Sequence, residues 1–516
     1  MTEVVTAAQM RGIESAAIEA GAVTGAALME RAGAGVVAAI LRQWPEAQSA
    51  TILCGPGNNG GDGYVIARLL AERWWDVRVL GMGDAEAMPP DARANRAAWQ
   101  GEVAPLTRAN LEAATDTDIV VDAIFGTGLT RAPAGEVLSV LKALGDCAAP
   151  LVAVDAPSGL CLDRGIPLAR EGSVPKCDLT VTFEVPKIGH FIADGPACCG
   201  ALEVVDLGLS HWRGKLGADT TRLIDAVPMV PPTEGTPHIL PNFRKKTGHK
   251  YDNGHALVVS GGPSKTGAAR LAARAALRIG AGLVTVASPP TALAENAMQL
   301  TAIMTRRCGG AAGLSEILED ARFTALCLGP SLGVGEQTRA MVRAALGPRF
   351  VVLDADALTS FEEDPSELFE AIAAVGEPER VILTPHGGEF GRLFPDENAA
   401  LDAGDISKLD AVREAAQRSG AVVLLKGADT VIASPDGRSS IHAAHCARSV
   451  PWLATAGAGD VLAGLIAGLA ARSDDLHRAA ADATWLHVEA ARAFGPGLIA
   501  EDLPEMVPRV LRDMGV

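Results

Sequence analysis

Two doubly wound α/β domains in tandem are what this sequence predicts, and three observations carry that prediction. The chain is 516 residues long, too much for one ordinary core. Its hydrophobic fraction is 48% with only 4% aromatics, so the cores are built from Ala, Val, Leu and Ile, the usual material of parallel strands buried on both faces. Short apolar runs alternate with stretches of helical period, and they do so twice, on either side of a break rich in Pro and Gly.

The first domain, residues 1–212, opens with a helical pattern over Ala7–Leu41 interrupted by glycines. Buried strands are then predicted at Thr51–Cys54, Val77–Leu80, Ile119–Ile124, Leu151–Val154 and Leu179–Phe183, with helical periodicity over Tyr64–Arg73 and Glu136–Leu144 between them. The pattern lapses from about His211 to Lys250, and residues 213–240 are assigned as a linker. Alternation resumes in the second domain, residues 241–516. Its predicted strands are Ala256–Ser260, Leu283–Ala287, Ala325–Leu328, Val351–Leu353, Val381–Leu383 and Val422–Leu425, with closing helices from Asp460 onward. Strands alternating with helices imply βαβ units and parallel sheets in both halves.

Composition narrows the function classes. A formal net charge of -17 argues against a nucleic-acid-binding surface, so any anionic ligand must be held by local devices such as backbone N–H groups at helix starts. The nine cysteines show no metal-type spacing and no disulfide framework, which fits a reducing compartment. The N-terminus MTEVVTAAQMRGIESAAIEAG lacks the basic start and apolar run of a signal peptide, and the apolar stretch Val461–Ala471 is too short to span a bilayer. The expectation is a soluble cytoplasmic enzyme acting on small molecules, with neither nucleic-acid nor membrane partners; symmetric assembly is the default for a large α/β enzyme.

In the first domain a strand runs into a glycine-rich loop, Leu53-CGPGNNGGDGYVIARLL, which lets a ligand approach the backbone and offers free N–H groups at the next helix. Gly55-Pro-Gly57-Asn-Asn-Gly60 satisfies GxGxxG, and Asp84 follows about 20 residues on, as in a dinucleotide fold. A plain NAD-dependent dehydrogenase is therefore one reading, although two asparagines and an aspartate in the loop are foreign to that fingerprint. Asp122 with Gly126-Thr-Gly-Leu-Thr-Arg131, Asp155-Ala-Pro-Ser158-Gly159 and Lys187 stand at three other strand ends, where ligands of open α/β sheets bind. Each aspartate alone could be a turn or helix cap. Together they point to a site.

GNNGGDG, VDAIFGTGLTR, VDAPSGL and TFEVPKIGH resemble the NAD(P)H-hydrate epimerase domain over nearly all of residues 1–210. The resemblance implies a Rossmann-like three-layer α/β/α fold. The hydrated cofactor would lie across Asn58, Asn59, Gly60, Gly61 and Asp62 and across Gly126, Thr127, Gly128, Leu129, Thr130, Arg131 and Ala132. It also implies a potassium ion held by Asn59, Asp122 and Ser158, an all-oxygen set suited to a hard cation. Asp155 becomes the acid/base group, with a pKa expected to rise towards neutrality once ligand shields it, and Lys187 stands nearby.

In the second domain the strongest signal is Thr455-Ala-Gly457-Ala-Gly459-Asp460-Val-Leu-Ala-Gly464. Glycines before a helix form an anion hole for phosphoryl oxygens, and an aspartate at the helix start can serve the attacking hydroxyl. The competing structural reading is a helix-packing motif with Asp460 as N-cap. Lys426, at the end of a buried strand, would be costly there unpaired. His386, at a strand end beside two glycines, is either a loop residue or part of the site.

This GAGD arrangement resembles the ribokinase-like superfamily. GHALVVSGG, GAARLAARAALRIGAGLVTV, LGPSLG, VLDADAL, LTPHGGEFGRL and VLLKGADTVIA narrow the likeness to ADP/ATP-dependent NAD(P)H-hydrate dehydratase, from about residue 240 to the end. By that resemblance Lys426, Gly427, Ala428, Asp429, Thr430 and Gly459 hold ADP or ATP with its magnesium ion. Ala268, Gly333, His386 and Asp460 contact the hydrated cofactor, with Asp460 as base. Two departures stand out: Lys265-Thr266 precede Gly267-Ala268 where the family often has Tyr or Ser, and the usual GTGD reads GAGD. Alanine removes a hydroxyl but keeps the backbone N–H groups. A ribokinase-like vitamin kinase is the rival enzyme reading, and an N-terminal binding module like that of RNA-decapping scaffolds the non-enzymatic one. LTPHGGEF and the intact Asn59, Asp122, Asp155 and Ser158 set speak against them.

Overall fold

The structure is a computed structural model that describes residues 2–114, 116–169, 172–213, 220–225 and 243–516. The described residues separate into two compact units between Thr221 and Arg222. The sequence-assigned linker lies mostly outside the described residues, but a short strand falls within it.

The first unit contains β1 (Thr2–Val4), β2 (Ser49–Cys54), β3 (Asp76–Gly81), β4 (Val103–Pro105), β5 (Ile119–Ala123), β6 (Leu151–Val154), β7 (Leu179–Phe183) and β8 (Ala201–Val205). Seven of them form one parallel sheet in the order β4-β3-β2-β5-β6-β7-β8, the doubly wound arrangement. β5 and β7 are buried along their whole length, as Ile, Val and Leu runs demand when helices cover both faces. The order reverses between β2 and β5, where the register pairs Leu53 with Asp122 and Cys54 with Ala123, so their following loops part into a crevice. The long N-terminal helical pattern is two helices, Ala7–Glu19 and Gly25–Gln43, each capped by a threonine hydroxyl, Thr6 and Thr24. Val5 bridges to Lys187, which fixes the first helix beside the strand ends.

The second unit contains β9 (Thr221–Leu223), β10 (His255–Val259), β11 (Leu283–Ser288), β12 (Met304–Arg307), β13 (Ala325–Leu328), β14 (Phe350–Leu353), β15 (Val381–Leu383), β16 (Val422–Leu425), β17 (Asp429–Ala433) and β18 (Ser439–Ala443). They run β9-β18-β17-β16-β15-β14-β13-β10-β11-β12, parallel from β16 to β12, with β17 and β18 added antiparallel. The helix Ala458–Ala470 packs on Gly267–Arg278 at very close range. A Cβ at Gly464 would stand 2.1 Å from the Ala272 carbonyl, and one at Gly468 2.7 Å from that of Ala276. Glycines four apart against alanines four apart let the two backbones touch, which sets the starts of both helices side by side. None of the nine cysteines is in a disulfide, and no described helix is long and apolar enough to cross a membrane.

Candidate active sites

The first unit holds a cleft of about 420 Å³ at the carboxyl ends of its strands. Its walls include Asn58, Asn59 and Asp62 on one side and Gly126, Thr127, Gly128, Leu129, Thr130 and Arg131 on the other, with Asp155 and Lys187 at the floor. Ala132 does not line it, nor do Gly60 and Gly61. The expected loop around those glycines is already helical from Asn58, and both serve packing: a Cβ at Gly60 would sit 1.9 Å from the Gly55 carbonyl oxygen, and one at Gly61 2.6 Å from Met29 Sδ. Asp84, the residue at dinucleotide spacing, caps the short turn Ala85–Ala87 instead.

Asp155 sits in left-handed backbone, φ 66°, at the end of β6. Its Oδ1 accepts from Lys187 Nζ at 2.8 Å and from Thr182 Oγ1 at 2.9 Å. Its Oδ2 accepts from the Thr127 N–H at 2.8 Å and from the Thr127 hydroxyl. Lys187 N–H donates to His190 Nδ1, so the other ring nitrogen carries the proton and donates to the Asp155 carbonyl at 3.1 Å. The expected rise in the Asp155 pKa is overturned. Burial pushes it up, but the Lys187 ammonium and the Thr127 donors hold it well below the carboxylate range. Two carboxyls that line the cleft do rise: Asp62, through burial and the nearby charges of Asp155 and Glu14, and Glu14, through burial and the charge of Asp155. Sequence reasoning missed Thr182, His190 and Glu14; the first two lie in or beside the TFEVPKIGH motif.

Asp122 and Ser158 come together behind the cleft. Asp122 Oδ2 accepts from the Ser158 N–H at 2.8 Å and Oδ1 from the Ser158 hydroxyl at 2.6 Å, while the Phe125 N–H donates to Ser158 Oγ. Burial raises the Asp122 pKa despite these donors. The Asn59 amide abuts Gly126, next along that loop, and its Nδ2 is buried without a partner. A half-turn of the amide presents oxygen instead. The three residues thus bracket Phe125–Gly126 with hard oxygen donors.

In the second unit Asp460 is not the N-cap. Gly457, in left-handed conformation at φ 89°, occupies that position, and Asp460 is the third residue of the helix Ala458–Ala470. The packing reading of this motif belongs to Gly464 and Gly468 further along. Lys426 is paired, with its Nζ 2.7 Å from Asp354 Oδ1 and 3.9 Å from Glu389 Oε2. A Cβ at Gly459 would lie 3.7 Å from Lys426 Nζ and 4.0 Å from Asp354 Oδ2, so the glycine helix start, the lysine and the aspartate converge. Burial raises the Asp460 pKa to about 6, with Asp354 and Asp356 adding to the rise and Lys426 opposing it. Gly333 joins the site through its N–H, which donates to Asp356 at 2.8 Å.

His386 caps the helix Gly387–Leu393, accepting from the Gly388 and Glu389 N–H groups, while its backbone N–H donates to Glu389. Its ring is largely exposed beside Glu389. Gly427 lies under Lys408, whose Nζ holds Asp429, and Thr430 closes the turn on the Gly427 carbonyl. Ala268 stands in the first turn of Gly267–Arg278, which the register of Gly464 on Ala272 and Gly468 on Ala276 brings level with Asp460. Sequence reasoning missed Asp354, Glu389 and Lys408. Asp354 directly follows an apolar strand in VLDADAL, which was its signal.

These two units define a two-domain α/β enzyme with one cluster of charged site residues in each half. The family profile of NAD(P)H-hydrate dehydratase matches residues 256–507, and that of the YjeF-related protein N-terminus matches residues 25–189. The chain belongs to the bifunctional NAD(P)H-hydrate repair enzymes. The enzyme of that name from Moorella thermoacetica is 38% identical across 99% of this chain and 97% of its own. The Escherichia coli enzyme is 32% identical across 94% of this chain and 89% of its own. The Bacillus subtilis ADP/ATP-dependent NAD(P)H-hydrate dehydratase, crystallised with ATP and magnesium, is 28% identical with a TM-score of 0.44 and covers 53% of this chain and 94% of that one.

Proposed function

We propose that this enzyme restores hydrated NADH and NADPH, interconverting the R and S hydrates in the first cleft and dehydrating the S form in the second at the expense of ADP or ATP. The observation that carries the reading is Asp460: a carboxyl with a pKa of about 6, beside a glycine helix start and the Lys426–Asp354 pair. At neutral pH it is mostly ionised and still basic enough to take a proton. It removes the proton of the S-hydrate hydroxyl as that oxygen attacks the terminal phosphoryl group, releasing AMP from ADP or ADP from ATP. Loss of phosphate, with a proton leaving the neighbouring ring carbon, then restores the double bond. N–H groups at the helix start face the phosphoryl oxygens, and Lys426 supplies positive charge beside them. The loop Lys426–Thr430 and Gly459 take the nucleotide. Magnesium bound with the nucleotide would neutralise phosphoryl charge; no three of the described His, Cys, Asp or Glu side chains group to hold a metal ion, so phosphate oxygens and water would be its main ligands.

In the first cleft Asp155, ionised and fixed by Lys187, Thr127 and Thr182, is the acid/base group at the hydrated ring carbon. Asn59, Asp122 and Ser158 would hold potassium, which adds positive charge beside Phe125–Gly126. The chain then works as a soluble cytoplasmic enzyme on small-molecule substrates. Incubating the S hydrate with ADP or ATP tests the reading. It expects the absorbance of reduced nicotinamide to return; a stable phosphorylated vitamin precursor from a kinase assay, with no such return, would replace it with the kinase reading.

A further inference from the structure

A cavity of the C-terminal unit, about 300 Å³, shares no lining residue with the Asp460 cluster and has no place in the chemistry above. It opens where β10, β11 and β12 end, lined by Gly262, Pro289 and Gly309 respectively. The reacting centre sits at the end of β14, beside Asp354, and the nucleotide loop begins at Lys426 after β16. In the strand order β16 is two strands to one side of β14, whereas β10, β11 and β12 are two to four strands to the other. At about 4.8 Å per strand the cavity is roughly 10–19 Å from the reacting centre, on the side away from the phosphoryl donor.

The cavity wall is continuous with the substrate position. Leu332, part of the lining, precedes Gly333, and Thr338, also in the lining, donates to the Gly333 carbonyl. At the opposite edge the Lys265 N–H donates to the Gly262 carbonyl, in the turn that leads to Ala268. Its walls are apolar at Pro289, Leu332 and Met341, suited to the faces of a flat ring, and the exposed Gln337 amide stands at the mouth with both a donor and an acceptor.

Resting on the proposed dehydratase activity, we infer that this cavity receives the adenosine half of the hydrated dinucleotide, the half that takes no part in the reaction. Contacts there lower KM and leave the chemical step alone, because they are the same in ground and transition states.

Gly262 offers the test. It has no positive φ, and a Cβ built on it meets nothing within 4 Å, so Gly262→Leu fills the cavity without disturbing the backbone. Gln337→Ala is the second variant, on the exposed rim. Full-length protein is assayed with the S hydrate of NADH and with the S hydrate of reduced nicotinamide mononucleotide, which lacks the adenosine half. Gly262→Leu should raise KM for the dinucleotide about tenfold at unchanged kcat, and Gln337→Ala about threefold. Neither should change kcat/KM for the mononucleotide hydrate by as much as twofold. Equal losses on both substrates, unchanged KM for the dinucleotide, or a rise in KM for ADP instead would overturn the inference. Failure of the wild-type enzyme to dehydrate either hydrate would overturn the dehydratase reading itself.

Discussion

The two sites each set an aspartate near a buried or half-buried lysine, Asp155 at a strand end and Asp460 at a helix start, and arrive at opposite acidities. In the first, Lys187 bonds the candidate base directly and Asp155 is held far below its ordinary pKa. In the second, Lys426 bonds a neighbour, Asp354, and leaves Asp460 with burial and two nearby carboxylates, which lift it to about 6. What separates them is which carboxylate the ammonium neutralises. Neither aspartate has a fixed acidity; the partners around it set it.

Substitution at Asp460 should have the largest effect. Asp460→Asn keeps the glycine helix start and removes the base, so dehydration of the S hydrate should fall by about 10²–10⁴-fold while R–S exchange continues. A near wild-type dehydration rate would move the base elsewhere. Asp155→Asn should do the converse, slowing exchange by about 10²-fold after spontaneous epimerisation is subtracted, with S hydrate still consumed. If exchange persists, Asp62 or Lys187 is the next group to test.

The acidity difference predicts distinct pH profiles. Dehydration kcat/KM should fall below about pH 6 as Asp460 takes a proton, whereas exchange should show no acid limb from Asp155 in that range. Lys426→Met removes the cation that opposes the rise, so the dehydration limb should move upward; a limb that stays or falls would show that Lys426 does not act on Asp460. The smallest effect concerns stability. His255, His477 and His487 in the second unit are held neutral to about pH 4 by burial, and His442 to about pH 3; in the first unit His190 is so held, to about pH 4. Unfolded histidines take protons near pH 6.5, so stability should decline as pH falls from about 6.5 towards 4. Hydrogen exchange over that range should show greater loss of protection in the second unit.

Apolar runs made the interior strands readable: each of the eleven strands expected from them is present, because a parallel strand buried on both faces leaves a continuous hydrophobic signature. Edge strands left none. β12, Met304–Arg307, is polar and mostly exposed, β8 is half-exposed, and the three-residue β4 has no buried position. In the sites, motif spacing located Asp155, Lys187, Lys426 and Asp460. It could not show that Gly60 and Gly61 face the protein rather than ligand, since a glycine needed for packing and one needed for ligand approach look alike in sequence. Nor could it supply the Asp155 acidity, which depends on a lysine 32 residues away.

The central claim is a division of labour between two independent sites. R and S hydrates, prepared as a mixture, are incubated with ADP or ATP and wild-type, Asp155→Asn or Asp460→Asn protein, and both epimers are followed by chromatography. Wild type should exhaust both forms. Asp155→Asn should consume S quickly and then proceed only as fast as R epimerises spontaneously; Asp460→Asn should equilibrate the epimers without net loss. Adding the two variants together should restore full conversion. Rapid loss of R with Asp155→Asn, or of either epimer with Asp460→Asn, would contradict the account.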